Sequence, residues 1–304
     1  MITVVGSLNM DLCVETSRLP SSGETVLGHR YRQAPGGKGA NQACALARLG
    51  VPVHLIGCVG ADGFGREMTA NLSAFGVRTS ALISKPDAPS GVAFILIDDD
   101  GENQIVVCGG ANATLSAEDV RKHAEFIARS RAVIAQLEIP LEAVEAAFLI
   151  GREAGALTIL NPAPAQPLSV ALLNLCDWII PNEREAVRLL GLSSDERCES
   201  GRLSGLLRAR APGCGVVITL GPTGAWLDHK NIGTFIPSIP VEAIDTVGAG
   251  DAFVGAFVAR LTEGADAREA VEFAVAAAAV AVTRPGAQGG LPTRAEAEAL
   301  LRKK

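Results

Sequence analysis

AIDTVGAGDAFVGAF, residues 243–257, sets a glycine-rich turn directly before an apolar helical run, with Asp251 in the first turn of that helix. Backbone N–H groups of residues 247–250 are unobstructed there, and with the positive helix end they form a cradle for an anion. Asp251 beside the cradle can accept a proton, although an Asp capping an ordinary helix after a flexible turn has the same sequence. A second such turn, APGGKGANQACALARLG at 34–50, also runs into a helix. It is not a Walker A loop, because Lys38 is followed by Gly39 rather than by Ser or Thr. Gly36 and Gly37 would let backbone approach a ligand closely, with Lys38 and Asn41 as donors; the plain alternative is a glycine hinge carrying a solvated Lys.

Around these turns the chain alternates buried strands with helices. Strands are expected at 2–5, 53–59, 132–137, 157–160, 178–180 and 216–220, and helices at 39–49, 65–75, 141–154, 251–261, 267–282 and 293–301. Ser116 with Asp119 carries a helix-start signature. Two stretches break the rhythm. Residues 12–34 hold short strand-like pieces around SRLPSSGETVLG, and 91–108 read as a hairpin, GVAFILI and QIVVC flanking DDDGEN. No linker separates them from the rest, so one domain spans 1–304, with a small sheet inserted in it from about 12–36 and 89–109.

Ligands of open α/β sheets lie beyond the carboxyl ends of the strands. That rule singles out Asn9, Asp11, Glu138, Asn161, Asn182, Glu185, Gly221 and Gly224. Asn9 and Asp11, two apart, point the same way on extended chain. Asn182 and Glu185 lie one turn apart at a helix start, where a carboxylate can hold magnesium through water but is also an ordinary partner of the helix dipole.

An apolar share of 48% and a mean hydropathy of +0.27 over 304 residues exclude disorder, and 4% aromatics leave the core to aliphatic residues. A net charge of −6 with scattered Lys and Arg argues against nucleic acid and anionic membrane as partners. The seven cysteines (13, 44, 58, 108, 176, 198 and 214) form no C-x-x-C and are expected to be reduced, buried hydrophobes of a cytoplasmic protein. MITVVGSLNMD enters a strand at once, so no export segment is expected, and the Ala-rich run near 274–282 is too short for a bilayer. G-x-G-x-x-G after the first strand and G-x-S-x-G are missing, and the four His residues fit no triad or metal pattern.

G-G-K-G-A-N at 36–41 and D-T-V-G-A-G-D at 245–251, in this order and separation, with Asn9, Asp11 and the strand-end acids, resemble the ribokinase family of carbohydrate kinases, also called the PfkB family. The resemblance covers essentially the whole chain. It implies an α/β fold, a three-layer αβα domain with a central, mainly parallel sheet and a small β-sheet lid. It implies transfer of phosphate from ATP to a small sugar, D-ribose at its 5-hydroxyl ahead of 2-deoxyribose, fructose or a nucleoside. Asn9, Asp11, Gly37, Lys38, Asn41 and Glu138 would then hold sugar hydroxyls, Asp251 would be the base, and Gly248, Ala249 and Gly250 an anion hole. Asn182, Thr219, Gly221, Gly224 and Gly250 would meet ATP, and Glu185 the magnesium shell through water. Asp245, Val247, Ala281, Arg284 and Gly286 would hold an activating potassium ion. A homodimer formed through the lid is implied as well.

Two residues depart from the family pattern: Val275 near the adenine, where a polar residue is common, and Gly290, where a Ser helps frame the cation site. A nucleoside acceptor needs a stacking aromatic beside the lid, and Phe94 is the one candidate. A sensor that keeps the fold without turnover is the alternative from another class, and the intact Asp251 stands against it.

Overall fold

Runs of Val, Ile and Leu bounded by Gly, Pro or Asn become buried strands in the computed structural model, which describes residues 1–193 and 198–303. The N-terminal third contains β1 (Ile2–Val5), β2 (Asn9–Thr16), β3 (Gly28–Gly36), α1 (Lys38–Arg48), β4 (Val53–Gly60), α2 (Gly63–Phe75), β5 (Leu82–Lys85), β6 (Gly91–Ile97) and β7 (Asn103–Cys108). The middle contains α3 (Ala117–Lys122), α4 (Ala124–Ala128), β8 (Ala132–Ala135), α5 (Leu141–Glu153), β9 (Leu157–Leu160), α6 (Val170–Leu173), β10 (Trp178–Ile179), α7 (Glu183–Leu190) and α8 (Ser200–Arg210). The rest contains β11 (Gly215–Thr219), β12 (Gly224–His229), β13 (Ile232–Pro237), α9 (Ala249–Glu263), α10 (Ala267–Ala281) and α11 (Arg294–Leu301).

The large sheet has the order β13-β12-β11-β10-β9-β8-β1-β4-β5; neighbours from β11 to β5 pair in parallel, whereas β12 runs antiparallel to both β11 and β13. Alternation along β1 divides the core. Ile2 and Val4 pack with α1, α9 and α10, whereas Val5 packs with α3 and α5 on the opposite face. This is the expected three-layer arrangement. A separate four-stranded sheet, β3-β2-β6-β7, pairs β2 with β6 in parallel and closes with two antiparallel edges.

Several elements differ from the sequence expectation. The strand expected at 132–137 ends at Ala135, so Gln136 and Leu137 already belong to the loop that carries Glu138. The hairpin β12–β13 and the helix α8 were not expected. The hairpin turns on Lys230 and Asn231, both at positive φ (51° and 64°), instead of on a glycine pair, and α8 carries two glycines that weaken its helical period. Cys108 is exposed rather than buried, because it ends the edge strand β7, all of whose residues face solvent; Cys198 is half-buried. Among the described residues no helix is long and apolar enough to cross a membrane.

The order of strands reverses at β1, between β4 and β8, and there the carboxyl ends of β1, β8 and β9 open a crevice. Helix α1 enters it at van der Waals contact. A Cβ on Gly39 would lie 2.6 Å from the Gly6 carbonyl carbon and the Ser7 nitrogen, and one on Gly255 of α9 would lie 2.7 Å from Ala45 Cβ of α1. Backbone cannot yield there as a long side chain can. Gly39→Ala is therefore expected to destabilise the fold by roughly 1–3 kcal/mol, read by urea unfolding; unchanged stability would mean that α1 does not need this approach.

Candidate active site

The turn after β1 carries Ser7 and then Asn9 and Asp11, which share one face of β2. Ser7 Oγ donates to Glu138 Oε2 at 2.6 Å, and Asn9 Nδ2 and the Lys38 backbone N–H reach the same oxygen at 3.3 Å. Asn112 pins the turn: its Nδ2 donates to Leu8 O and Asn9 Oδ1, both at 2.8 Å, and its Oδ1 accepts from Leu8 N. The second glycine pair makes room for these groups. Gly37 sits at φ +91° with its would-be Cβ 2.6 Å from Asn9 N, and any Cβ at Gly36 would fall 2.2 Å from Asp11 Oδ2.

Asp11 is pushed up to about 7 by burial and by the neighbouring charges of Glu138 and Asp251, against the pull of Lys38 and Arg32. Lys38 shows the converse balance. Burial lowers its ammonium, but Asp251, Glu138, Glu185 and Asp11 surround it and together raise it. These five charged groups thus converge from α1, α7, α9, β2 and the loop after β8.

Asp251 is buried, and each of its oxygens accepts from an amide of α1: Oδ2 from Asn41 Nδ2 and Oδ1 from Gln42 Nε2, both at 2.9 Å. Burial raises its carboxyl above the usual range, while Lys38 and these two amides pull it back. Asn41 Oδ1 accepts from Gln288 Nε2 at 3.0 Å, and Gln42 Oε1 accepts from Gln136 Nε2 at 2.6 Å. Gln42 Nε2 also reaches Asn161 Oδ1 at 3.0 Å. No side chain caps α9; Gly248 at φ +79° precedes it, pressed so closely on Ala287 that a Cβ would lie 2.7 Å from the Ala287 Cα. The Asp245 carboxylate shapes this turn by accepting from Val247 N at 3.0 Å and from Gly286 N at 2.8 Å.

Two cavities adjoin Asp251. A polar one of about 210 Å³ is lined by Lys38, Asn161, Asn182, Glu185, Thr219, Gly248 and Gly250 besides Asp251. Asn182 and Glu185 form a reciprocal helix cap there: Asn182 Oδ1 accepts from Glu185 N and Glu185 Oε2 from Asn182 N, both at 2.8 Å, and burial raises the Glu185 carboxyl. It shares Thr219 and Gly250 with the wall of an apolar cavity of about 550 Å³. Gly221, Gly224, Ile239, Val241, Val275 and Ala279 are among its walls. On the far side of Gly248, the Ala281 and Gly286 carbonyl oxygens face Gly290: a Cβ there would lie 2.5 Å and 3.2 Å from them. The Arg284 side chain points away into an ion pair with Glu296.

The site residues expected from the sequence border this crevice, the two cavities or the loop behind Gly248; Arg284 does so with its backbone, its N–H reaching Ala281 O, while its side chain is turned to Glu296. Phe94 borders none of them. It pairs with Leu12, on the face of β2 opposite Asp11, and is exposed, so no aromatic lies beside Asp11 from this strand. Sequence reasoning missed Ser7, Gln42, Asn112, Gln136 and Gln288 as members of the site. Gln42 carried a signal, being next to Asn41 on a helix start; Asn112, in a short 3-10 helix over Gly110–Thr114, and Gln136 and Gln288, in loops, have partners more than 90 residues away.

The chain matches the pfkB family carbohydrate kinase over residues 1–294. It is 41% identical to a ribokinase of Haemophilus influenzae, covering 97% of this chain and 96% of that one. It is 35% identical to a deoxyribokinase of Salmonella typhimurium, covering 96% and 95%. A solved structure of Arabidopsis thaliana ribokinase complexed with ribose and ATP is similar throughout, with a TM-score of 0.89 at 32% identity and coverage of 99% and 98%.

Asp11 gives the crevice a pH signature. Its folded-state value of about 7 exceeds the ordinary aspartate value of 3.8, so the stabilisation tied to its protonation is complete below pH 3.8 and is lost as pH rises through about 7. Asp11→Asn keeps the shape without the charge. It is expected to be more stable than the parent at pH 8, by a margin that shrinks as pH falls toward 5; urea titrations across that range giving a constant margin would contradict the burial of this charge.

Proposed function

The chain belongs to the pfkB family of carbohydrate kinases, and on that footing we propose that it transfers the γ-phosphoryl group of ATP to the 5-hydroxyl of D-ribose. The observation that carries this reading is Asp251: a buried carboxylate held on both oxygens, within electrostatic reach of Asp11, Lys38 and Glu138, at the uncapped start of α9. A base with a raised pKa is suited to a hydroxyl's proton near neutral pH.

In this reading Asn9, Asp11, Gly37, Lys38, Asn41 and Glu138 grip the sugar, carboxylates accepting from its hydroxyls and amide and ammonium groups donating to them. Asp251 takes the proton of the attacking hydroxyl as the in-line displacement proceeds, and the backbone N–H groups of Gly248, Ala249 and Gly250 receive the charge that gathers on the moving phosphoryl group. Asn182, Thr219, Gly221, Gly224 and Gly250 take the donor, whose base fits the apolar cavity beyond Thr219.

Glu185 would hold magnesium through water, the phosphates completing its shell and having their charge neutralised there. The residues fit that arrangement: Glu185 lines the polar cavity, and among the described residues no cluster of three metal-ligating side chains forms an all-protein cage. Asp245, Val247, Ala281, Arg284 and Gly286 would hold potassium chiefly through carbonyls, and the convergence of the Ala281 and Gly286 oxygens beside Gly290 supports it.

The small sheet, from about 12–36 and 89–109, is proposed as a lid that keeps water from the phosphoryl group, in a cytoplasmic enzyme. Tyr31, Phe94, Ile105, Val106 and Val107 are exposed on it, which supports a homodimer formed through this sheet. The deoxyribokinase relative makes 2-deoxyribose the rival acceptor. The density of hydrogen-bonding groups around Glu138 favours the sugar with its full set of hydroxyls.

ADP-release assays over pentoses, hexoses and nucleosides are expected to give the highest kcat/KM with D-ribose, and Asp251→Asn is expected to lower kcat by roughly 10²–10⁴. A variant as fast as the parent would remove Asp251 from the role. Sedimentation velocity at micromolar concentration is expected to show a dimer, and a monomer alone would contradict the proposed pairing.

A further inference from the structure

We propose that Gln42, set in orientation by Gln136, is the positioning residue that keeps the Asp251 carboxylate aimed and ionised. The inference rests on Asp251 being the base. It starts from a chain of amides that ends on Asp251 Oδ1: Gln136 Nε2 donates to Gln42 Oε1 at 2.6 Å, and Gln42 Nε2 donates to the carboxylate at 2.9 Å. Both glutamines are wholly buried.

The two ends of a carboxamide have nearly the same shape and opposite polarity. Rotated by 180°, Gln42 would turn its carbonyl on the carboxylate and favour the protonated acid. Gln136 and Asn161 decide between the two states together: the Gln136 N–H meets the Gln42 oxygen, and Asn161, whose own amide N–H is given to Ile180 O at 2.8 Å, offers its oxygen to the Gln42 N–H at 3.0 Å, which leaves that N–H side facing Asp251. The orientation leaves Gln136 Oε1 buried without a partner. Orphans of this kind are rare in folded proteins and call for a reason; here the reverse orientation would set the Gln136 oxygen against the Gln42 oxygen. Gly6 makes the space, since a Cβ there would lie 2.1 Å from that orphan oxygen.

Other charges around Asp251 do not replace this control. Lys38 of α1 faces it, as do Glu138, Asp11 of β2 and Glu185 of α7, three acids against one base. The buried residues of α10, packed along α9, are all apolar. With acids outnumbering the single ammonium, the amide donors supply local bias toward the ionised form. Asn41 holds the other oxygen, so losing the Gln42 bond leaves the carboxylate tethered at one end and free to turn.

The test is the pH dependence of kcat with ATP and D-ribose for the parent, Gln42→Met, Gln136→Met and Asp251→Asn, with thermal melts of each. Met matches the volume of Gln without its amide. Loss of one hydrogen bond to a charged group is expected to move the acid limb of Gln42→Met upward by roughly 1–2 pH units, and that of Gln136→Met in the same direction by less. Should Gln42→Met fail to fold, Gln136→Met decides, because its side chain does not touch Asp251. Glutamine variants that melt earlier yet keep the parental acid limb, beside an inactive Asp251→Asn, would overturn this proposal and leave the base in place. An Asp251→Asn that keeps both the parental rate and the limb would overturn the base, and this inference with it.

Discussion

A carboxylate taken out of water must be given donors or give up its charge, and the surroundings of Asp251 answer that demand. Two consecutive residues of one helix, Asn41 and Gln42, bring one amide to each oxygen. Consecutive helical positions diverge by about 100° around the axis, so they can serve the same carboxylate only if α1 runs close beside the start of α9. Gly255 against Ala45 permits that approach, and Gly39 against the β1–β2 turn seats the other end of α1. The placement of one acid therefore constrains how two helices and the central strand pack.

The same logic explains the division of the crevice. Around Glu138 polar groups are crowded: Ser7, Asn9 and the Lys38 N–H all point at one of its oxygens, and Asp11 is close enough to share its field. Crowding acids beside one another opposes their ionisation, as the raised Asp11 carboxyl shows. Beyond Thr219 the walls are mostly small or aliphatic residues with Phe253 among them, and they leave about 550 Å³ between α9, α10 and the segment after β13. The antiparallel hairpin at the sheet edge is part of that construction, because it carries the chain from Gly224 back to Ser238, on the cavity's rim.

The sequence was legible where chemistry and local geometry coincide. Glycines 36, 37, 248 and 250 announced both turns, and the backbone approaches at Gly37 and Gly248 give the physical reason. Buried parallel strands were visible as aliphatic runs, because a strand covered on both faces has no polar alternation to blur it. What stayed hidden depends on partners remote in the chain. Nothing local marks Gln288 or Gln136 as different from a surface amide; each acquires meaning only when it meets α1. Phe94 was misplaced for the same reason, since the face it occupies is fixed by the pairing register of β2 with β6, which no single strand reveals. The hairpin on Lys230 and Asn231 lacked a glycine and so lacked its usual signal.

If Asp251, the glycine turn and the crowded acceptors form one site, phosphate should leave the nucleotide only for a sugar hydroxyl. Following a mixture of ATP, magnesium, potassium and D-ribose by ³¹P NMR tests this most directly. The account predicts a single new phosphomonoester, attached at C5 of ribose and appearing one for one with ADP. Inorganic phosphate in place of the ester, or an ester on another carbon, would contradict it.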